Sequence, residues 1–556
     1  MIHLLGSIRD NPDLMMVDGP IYSPGPNREA ADALAVIDGK IAAVGSTEEI
    51  RPSAGPETRV VSLAGRSAIP GIIDSHNHLL TAGSHMADGI LLFDVTSIDE
   101  LKRRVADRAA EIGPGRWITG AGWIENQFAE WRAPTRRDLD EAAPRNPVVL
   151  DRLFAASAVN TLALEAAGID RGNAPGERGV VECDSKGRPT GILRDGAQVP
   201  VHRAASDAGV GRTLEDMARY IETAAREYIR WGITSVVDPG VTPRGLRAYQ
   251  MCLLRGCLPL RVNAMPAWHG LRPEMEKELE GRVDHLGMFT GFGNENLRLG
   301  ALKMALDGGL GSRSSWMYEP FIDGGCSTTP LRFSPGDIDR FFSEGAGAGW
   351  SIGIHCCGDR AQDTACAAFD RLPRTRLAGP VRHNIIHGYF PTEYSLEIMA
   401  RRDIAVSAQP GFIWVEGDLY ETVLKPDRLH DFKPLRTYRD RGIRVAINSD
   451  MTSAHYNPFW GLHSAVTRKT ARGKRLGRRE CVDRFEALEM MTAAGAYLCG
   501  EEDTKGTLVP GMLADIAVLD RDFAAVSDDE LRDLEVDMTI VGGKVVFDGE
   551  AASCGG

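Results

Sequence analysis

The run Pro70-Gly71-Ile72-Ile73-Asp74-Ser75-His76-Asn77-His78 is an apolar segment that ends in His-x-His. Strand side chains alternate with period two, so His76 and His78 project to one side and can grip a single metal ion together. On its own such a pair is as readily an accident of surface or core. Three further residues give it company: His355 closes Gly353-Ile354-His355, His387 closes Ile385-Ile386-His387, and Asp450 closes Asn448-Ser449-Asp450. Each ends another apolar run. Imidazole and carboxylate suit zinc, with manganese, iron or cobalt as alternatives. The thiol considered beside them, Cys356, points away from any ion that His355 faces, so the set is not that of a structural thiolate site. An ion with an open position would be catalytic, lowering the pKa of a bound water toward neutrality. Asp450 could take that proton and pass it to a leaving nitrogen. Taken alone, Asp450 also fits a helix N-cap or a loop.

What must position these residues is a set of short apolar runs alternating with helical stretches, the pattern of parallel βαβ units. Eight such runs are read: Ala68 to His78, Ile233 to Asp238, Leu260 to Met265, Leu299 to Leu306, Ser351 to His355, Arg382 to His387, Ile404 to Gln409, and Ile443 to Asp450. Eight parallel strands close a barrel whose chemistry lies at the C-terminal ends of the strands. The expected fold is therefore α/β, a distorted (β/α)8 TIM barrel over residues 68–499. A Rossmann-type open sheet is the rival, but no Gly-x-Gly-x-x-Gly opens a helix after the first strand. The stretch from His78 to Ile233 is too long for one crossover, so residues 80–230 are expected to form an inserted subdomain that roofs the site. Hairpin signals at Asp38-Gly39 and Gly542-Gly543 suggest that residues 1–67 and 500–556 build one small β-sandwich domain together.

The chain has 556 residues, a formal charge of −13, and apolar and charged fractions of 43% and 25%. That length calls for more than one folded unit, and the negative balance argues against non-specific nucleic-acid binding, which needs clustered Lys and Arg. A small-molecule substrate is the expected partner. The ten cysteines show no CxxC pairing and read as reduced thiols. No stretch reaches the roughly 18 apolar residues of a membrane helix, and no leader pattern opens the sequence. Cytoplasmic residence is the expectation.

Three features carry a family resemblance. The run AIPGIIDSHNHL, the order His-x-His, Lys, His, His, Asp on successive strands, and the late segment GTLVPGMLADIAVLD resemble the amidohydrolase superfamily. They are most similar to its YtcJ-like branch, amidohydrolase family 3, which includes N-substituted formamide deformylases. The likeness extends over nearly the whole chain. It implies a metal set of His76, His78, Lys303, His355, His387 and Asp450, with Lys303 carboxylated by CO2 and its carbamate bridging two ions. A lysine paired with Asp307 is the other reading of Lys303. The segment Asp307-Gly308-Gly309-Leu310-Gly311-Ser312-Arg313 matches a family pattern in which Arg313 either orients substrate or caps a loop. Gly122-Trp123 matches another, in which Trp123 is either a pocket wall or a core filler.

The implied activity is hydrolysis of a C–N bond in an amide, formamide or cyclic amide by metal-activated water. Lactone or ester hydrolysis and deamination are the alternatives on the same site. Isomerisation, decarboxylation and an inactive scaffold are the readings of another class, and the complete ligand set argues against the scaffold. The resemblance is compatible with a homodimer. The chain departs from the family at Ile386, where Glu is frequent, at Phe154-Ala155, where Gly-His is frequent, and at Cys356-Cys357, where Ala-Ile is usual. The first two bear on substrate and reaction subtype, and Cys356 reads as core.

Overall fold

In the computed structural model, which describes residues 11–25, 30–152, 156–170, 179–211, 213–268, 287–311, 313–322, 333–373 and 381–549, two glycines decide how the apolar runs are divided. The run expected to form one strand from Ala68 to His78 splits at Gly71. Ala68–Pro70 pairs antiparallel with Ile516–Leu519, whereas Ile72–Asp74 pairs parallel with Ile233–Val241. A Cβ at Gly71 would lie 2.3 Å from Thr234 Oγ1, so the chain passes between the two sheets where only glycine fits. The run Leu299 to Leu306 likewise divides, into Leu297–Leu299 and Leu302–Ala305. Between them the Gly300 N–H donates to the Ala264 carbonyl at 2.7 Å, and a Cβ there would fall 2.0 Å from Asn263 Oδ1.

The resulting strands form two parallel sheets. The first has the order Leu297–Leu299, Arg261–Pro266, Ile233–Val241, Ile72–Asp74, and the second the order Leu302–Ala305, Ile352–Cys356, Asn384–His387, Ala405–Ala408, Val445–Ile447. Backbone contacts join them at both edges. At one, Ala267 bridges Lys303 and the Trp268 N–H donates to the Lys303 carbonyl at 3.1 Å. At the other, the Asp450 N–H donates to the His76 carbonyl at 2.9 Å and the His78 N–H to the Met451 carbonyl at 2.8 Å. The strands are rich in Val, Ile and Ala and buried along almost their whole length, as parallel strands covered by helices must be. Ile72, Val236, Val262, Ile354, Ile385 and Val406 share one apolar core with the surrounding helices.

Those helices begin where the sequence supplies caps. Leu214–Ile229 starts after Thr213, whose side chain and that of Asp216 cap each other reciprocally. It buries Ala218, Ile221, Ala225 and Tyr228 on one stripe. Against it lies Leu79–Ala87, close enough that a Cβ on Gly83 would sit 1.9 Å from the Tyr220 carbonyl oxygen. Gly83→Ala must push two helix backbones apart and is expected to destabilise by about 1–3 kcal/mol, the ordinary cost of overpacking. An unchanged urea midpoint would contradict this close approach.

Between Ile72–Asp74 and Ile233–Val241 the chain builds a six-stranded sheet running from Gly179–Cys183 through Pro189–Asp195, Ala156–Val159, Val148–Arg152 and Ile118–Ala121 to Ile90–Leu91. It meets the helix Gly411–Tyr420 through polar contacts: Asn126 donates to the Val415 carbonyl at 3.2 Å, and buried Arg152 donates to Glu416 at 3.2 Å and to Glu125 at 2.5 Å. Near the chain ends lie two four-stranded sheets, one of Lys40–Gly45, Ala33–Ile37, Leu14–Val17 and Arg59–Ser62, the other of Lys544–Asp548, Val536–Val541, Ile516–Leu519 and Ala68–Pro70. Leu14, Met16, Leu34, Val36, Ile516 and Ile540 pack in one cluster across both. The Asp38-Gly39 and Gly542-Gly543 turns have positive φ at both central residues, 50° and 76° and then 55° and 75°, as tight two-residue hairpins require. Among the described residues the cysteines are free thiols, and no helix is long and apolar enough to cross a membrane.

Candidate metal centre

All the residues singled out for metal binding except Lys303 sit near or just past the C-terminal end of a parallel strand. His76 and His78 follow Ile72–Asp74, Lys303 lies within Leu302–Ala305, His355 within Ile352–Cys356, His387 ends Asn384–His387, and Asp450 follows Val445–Ile447. His76, His387, Lys303 and Asp450 are buried, whereas His78 and His355 keep partial access. The ligand atoms form two groups, His76 with His78 and Asp450, and His355 with His387 and Cys357. Within each group all three atoms lie within 4.8 Å of one another. Asp450 Oδ1 is 3.7 Å from His76 Nε2 and 3.5 Å from His78 Nε2. His387 Nε2 and His355 Nδ1 approach to 2.7 Å, and the rings of His76 and His387 are 6.0 Å apart. The groups therefore adjoin.

Burial sets the charge states. It holds the His76 and His387 imidazoles well below their usual pKa, and neighbouring positive groups, Lys303 and His355 among them, add to the effect. Neutral rings offer lone pairs at neutral pH. Burial alone pushes the Asp450 carboxyl up, but the hydrogen bond from His78 and the charges of His387, His78 and Lys303 hold it below the usual carboxylate range. Ring nitrogens of His76 and His78 beside the Asp450 carboxylate make a donor set that fits a divalent cation.

The surrounding polar groups orient these donors. Gln409 Oε1 lies 2.7 Å from His387 Nδ1, while Gln409 Nε2 donates to the Ser407 carbonyl and to Asn448 Oδ1. With its amide so fixed, Gln409 accepts the Nδ1 proton and leaves the His387 Nε2 lone pair facing His355, an outer contact of the type that sets a metal ligand's tautomer. Asp74 accepts from Asn77 Nδ2, Ser449 N–H and Ser449 Oγ at 2.8, 3.0 and 2.6 Å. It thereby ties the His-x-His end to the Asn448-Ser449-Asp450 end. His387 and Asp450 have φ of 79° and 50°, a left-handed backbone that non-glycine residues keep only where the surroundings over-determine it.

The sequence reading missed several of these groups. Cys356 lies in the apolar core, as read, but Cys357 was missed: its Sγ is 3.4 Å from His355 Nε2. Period two from His355 points to residue 357, so the signal was present. Lys433 carried no sequence signal, yet it is 1% exposed, with its amine 3.3 Å from the centre of the Tyr389 ring. Burial drives its pKa well down. Trp123 is a core filler, not a pocket wall: it is 1% exposed, packs with Phe128 and Leu150, and donates its indole N–H to the Leu150 carbonyl at 2.8 Å. Arg313 is exposed on its loop, outside the buried cluster, with φ 57°. Asp307 accepts from the backbone N–H groups of Trp316, Cys357 and Gly358, which fixes the loop after Lys303 against the loop after His355. His383 accepts from the Ile352 N–H at 3.1 Å, a structural contact. His455 stacks on Tyr456 and borders a small cavity of about 20 Å³ that none of the six metal-set residues lines. Phe154-Ala155, His269 and Ser312 lie outside the described residues.

A sequence model of the amidohydrolase family matches residues 59–547, and the chain belongs to that family. It is 28% identical over 545 residues to the N-substituted formamide deformylase of Arthrobacter pascens, covering 96% of this chain and 98% of the relative. To the putative amidohydrolase YtcJ of Bacillus subtilis strain 168 it is 29% identical over 541 residues, covering 95% and 98%. Among solved structures, an uncharacterised metal-dependent hydrolase of Pyrococcus horikoshii OT3 superimposes with a TM-score of 0.72 at 24% identity, over 93% of this chain and 99% of the other. The protein is accordingly an amidohydrolase-type enzyme with the α/β fold of metal-dependent hydrolases.

Proposed function

We propose that the chain is a metal-dependent hydrolase that cleaves the C–N bond of a small amide, formamide or cyclic amide. The observation that carries this reading is the convergence of imidazole and carboxylate atoms from several strand ends into two adjoining groups. The relatives support the bond type, since one of them is named for deformylation of N-substituted formamides. The two parallel sheets, joined at both edges, are read as a distorted (β/α)8 barrel over residues 68–499, with the six-stranded sheet as an insertion and the terminal sheets as a composite β-sandwich.

His76, His78 and Asp450 would hold one divalent ion, and His355 and His387 a second, with zinc the first choice and manganese, iron or cobalt alternatives. When bound, such ions polarise a carbonyl and make water a nucleophile near neutral pH. Lys303, buried with its charge acting on His76, His387 and Asp450, would join the set as a carbamate. Asp450 Oδ1 faces the two histidines, which leaves Oδ2 to accept a proton from the attacking water and return it to the departing nitrogen. Asp74 and Gln409 keep Asp450 and His387 in register for this exchange.

Chelation of the purified protein should abolish hydrolysis in a screen of N-formyl, N-acyl, cyclic amide and lactone substrates, and zinc or manganese should restore it. Full activity in a metal-free preparation would overturn the reading. Preferential turnover of lactones would keep the metal centre and move the bond class.

A further inference from the structure

We propose that Cys357 is a metal ligand, completing a second ion position with His355 and His387 that is chemically softer than the position formed by His76, His78 and Asp450. The inference rests on the metal-centre reading above and adds a sulfur donor to it. Three geometric observations carry it. The ligand atoms of His355, Cys357 and His387 lie within 4.8 Å of one another, the same closeness found for the other group. Cys357 Sγ stands 3.4 Å from His355 Nε2. The thiol is also built in: it is 2% exposed, and its backbone N–H donates to Asp307 Oδ1 at 3.0 Å.

The neighbours suit a sulfur ligand. Cys357 packs in one buried cluster with Tyr389, two residues past His387, and a dry surround of this kind shields a metal-bound sulfur from solvent. Gln409 holds His387 Nδ1 at 2.7 Å, which leaves His387 Nε2 as its ligand atom. Two imidazoles and one thiolate make a mixed nitrogen and sulfur donor set of the kind zinc takes. On binding, the S–H bond breaks, its proton is released to solvent, and the sulfur electron pair forms the bond to the ion. No oxidant takes part. Thiolate favours zinc and other softer ions, whereas carboxylate with imidazole accepts harder ones as well, so the two positions should differ in metal preference.

Cobalt(II) loaded into the chelator-stripped full-length protein tests this without reference to turnover. Wild type should show the visible bands of bound cobalt together with an intense near-ultraviolet thiolate-to-cobalt charge-transfer band. Cys357→Ser should lose the charge-transfer band and keep visible bands from the other position, whereas Cys356→Ser should keep both. X-ray absorption of the zinc-loaded wild type, which needs no variant, should show a sulfur scatterer at about 2.3 Å. Visible bands in wild type with neither a charge-transfer band nor a sulfur shell would overturn the Cys357 assignment and leave the metal centre standing. A wild-type protein that binds no cobalt or zinc would remove the metal-centre reading and this proposal with it. Loss of the band in Cys356→Ser but not in Cys357→Ser would overturn the assignment as well.

Discussion

Asp450→Asn should lower turnover by a factor of about 10²–10⁴, the usual range for a lost acid–base group, while the protein keeps most of its bound metal. The substitution is nearly isosteric. Asparagine retains an oxygen toward His76 and His78, and it tolerates the left-handed backbone at this position, φ 50°, at least as well as aspartate does. The anchoring of the segment survives too, because the Asp450 N–H to His76 carbonyl bond is made by backbone. What disappears is a carboxylate that can hold a proton. Steady-state kinetics paired with metal analysis of the same sample separate the two effects. Wild-type kcat in the variant would remove Asp450 from proton transfer, and loss of metal in parallel with activity would make it chiefly a ligand.

The second large effect is on stability. Arg261, at the start of the strand Arg261–Pro266, donates from Nε and Nη2 to the two oxygens of Asp515 at 2.7 and 2.9 Å, and the side chains are 3% and 4% exposed. Asp515 also accepts from the Gly542 N–H at 2.8 Å, so one carboxylate joins a core strand to the start of Ile516–Leu519 and to the turn after Val536–Val541. Burial opposes the Arg261 charge, yet Asp515 holds its pKa above the usual value. Removing one partner of such a pair strands the other in a dry interior, which costs about 3–5 kcal/mol. Asp515→Ala should therefore lower the urea midpoint far more than an exposed pair such as Arg51–Asp18, whose loss should cost about 0–1 kcal/mol. The double replacement Arg261→Met with Asp515→Leu should recover much of the deficit, because no charge is left unpaired. A double variant as unstable as the single one would mean that the ion pair itself, not the stranded charge, dominates.

Much of the site was legible in the sequence because its logic is local. Period two places His76 beside His78, and an apolar run ending in a polar residue marks where His355, His387 and Asp450 emerge. The same rule pointed to Cys357, and attention to Cys356 as the neighbour of His355 obscured it. The strand breaks at Gly71 and Gly300 were not legible, since each depends on what lies opposite: Thr234 in one case and Asn263 in the other. Lys433 is more than forty residues from any strand end read as catalytic except Asp450, and only the packing of Tyr389, Phe412 and Phe432 around its amine brings it near the site. Trp123 illustrates the converse. A family pattern left it as either pocket wall or core filler, and its environment, a dry cluster with one carbonyl for the indole N–H, is that of a core side chain.

Elemental analysis of His76→Ala/His78→Ala beside His387→Ala and the wild type, all purified identically, bears most directly on the shared-cation claim. The wild type should carry at least stoichiometric divalent metal, the double variant should lose the ion held with Asp450, and His387→Ala should lose the other. Undiminished metal in both variants, with native circular dichroism, would mean that these side chains meet for some reason other than to hold an ion.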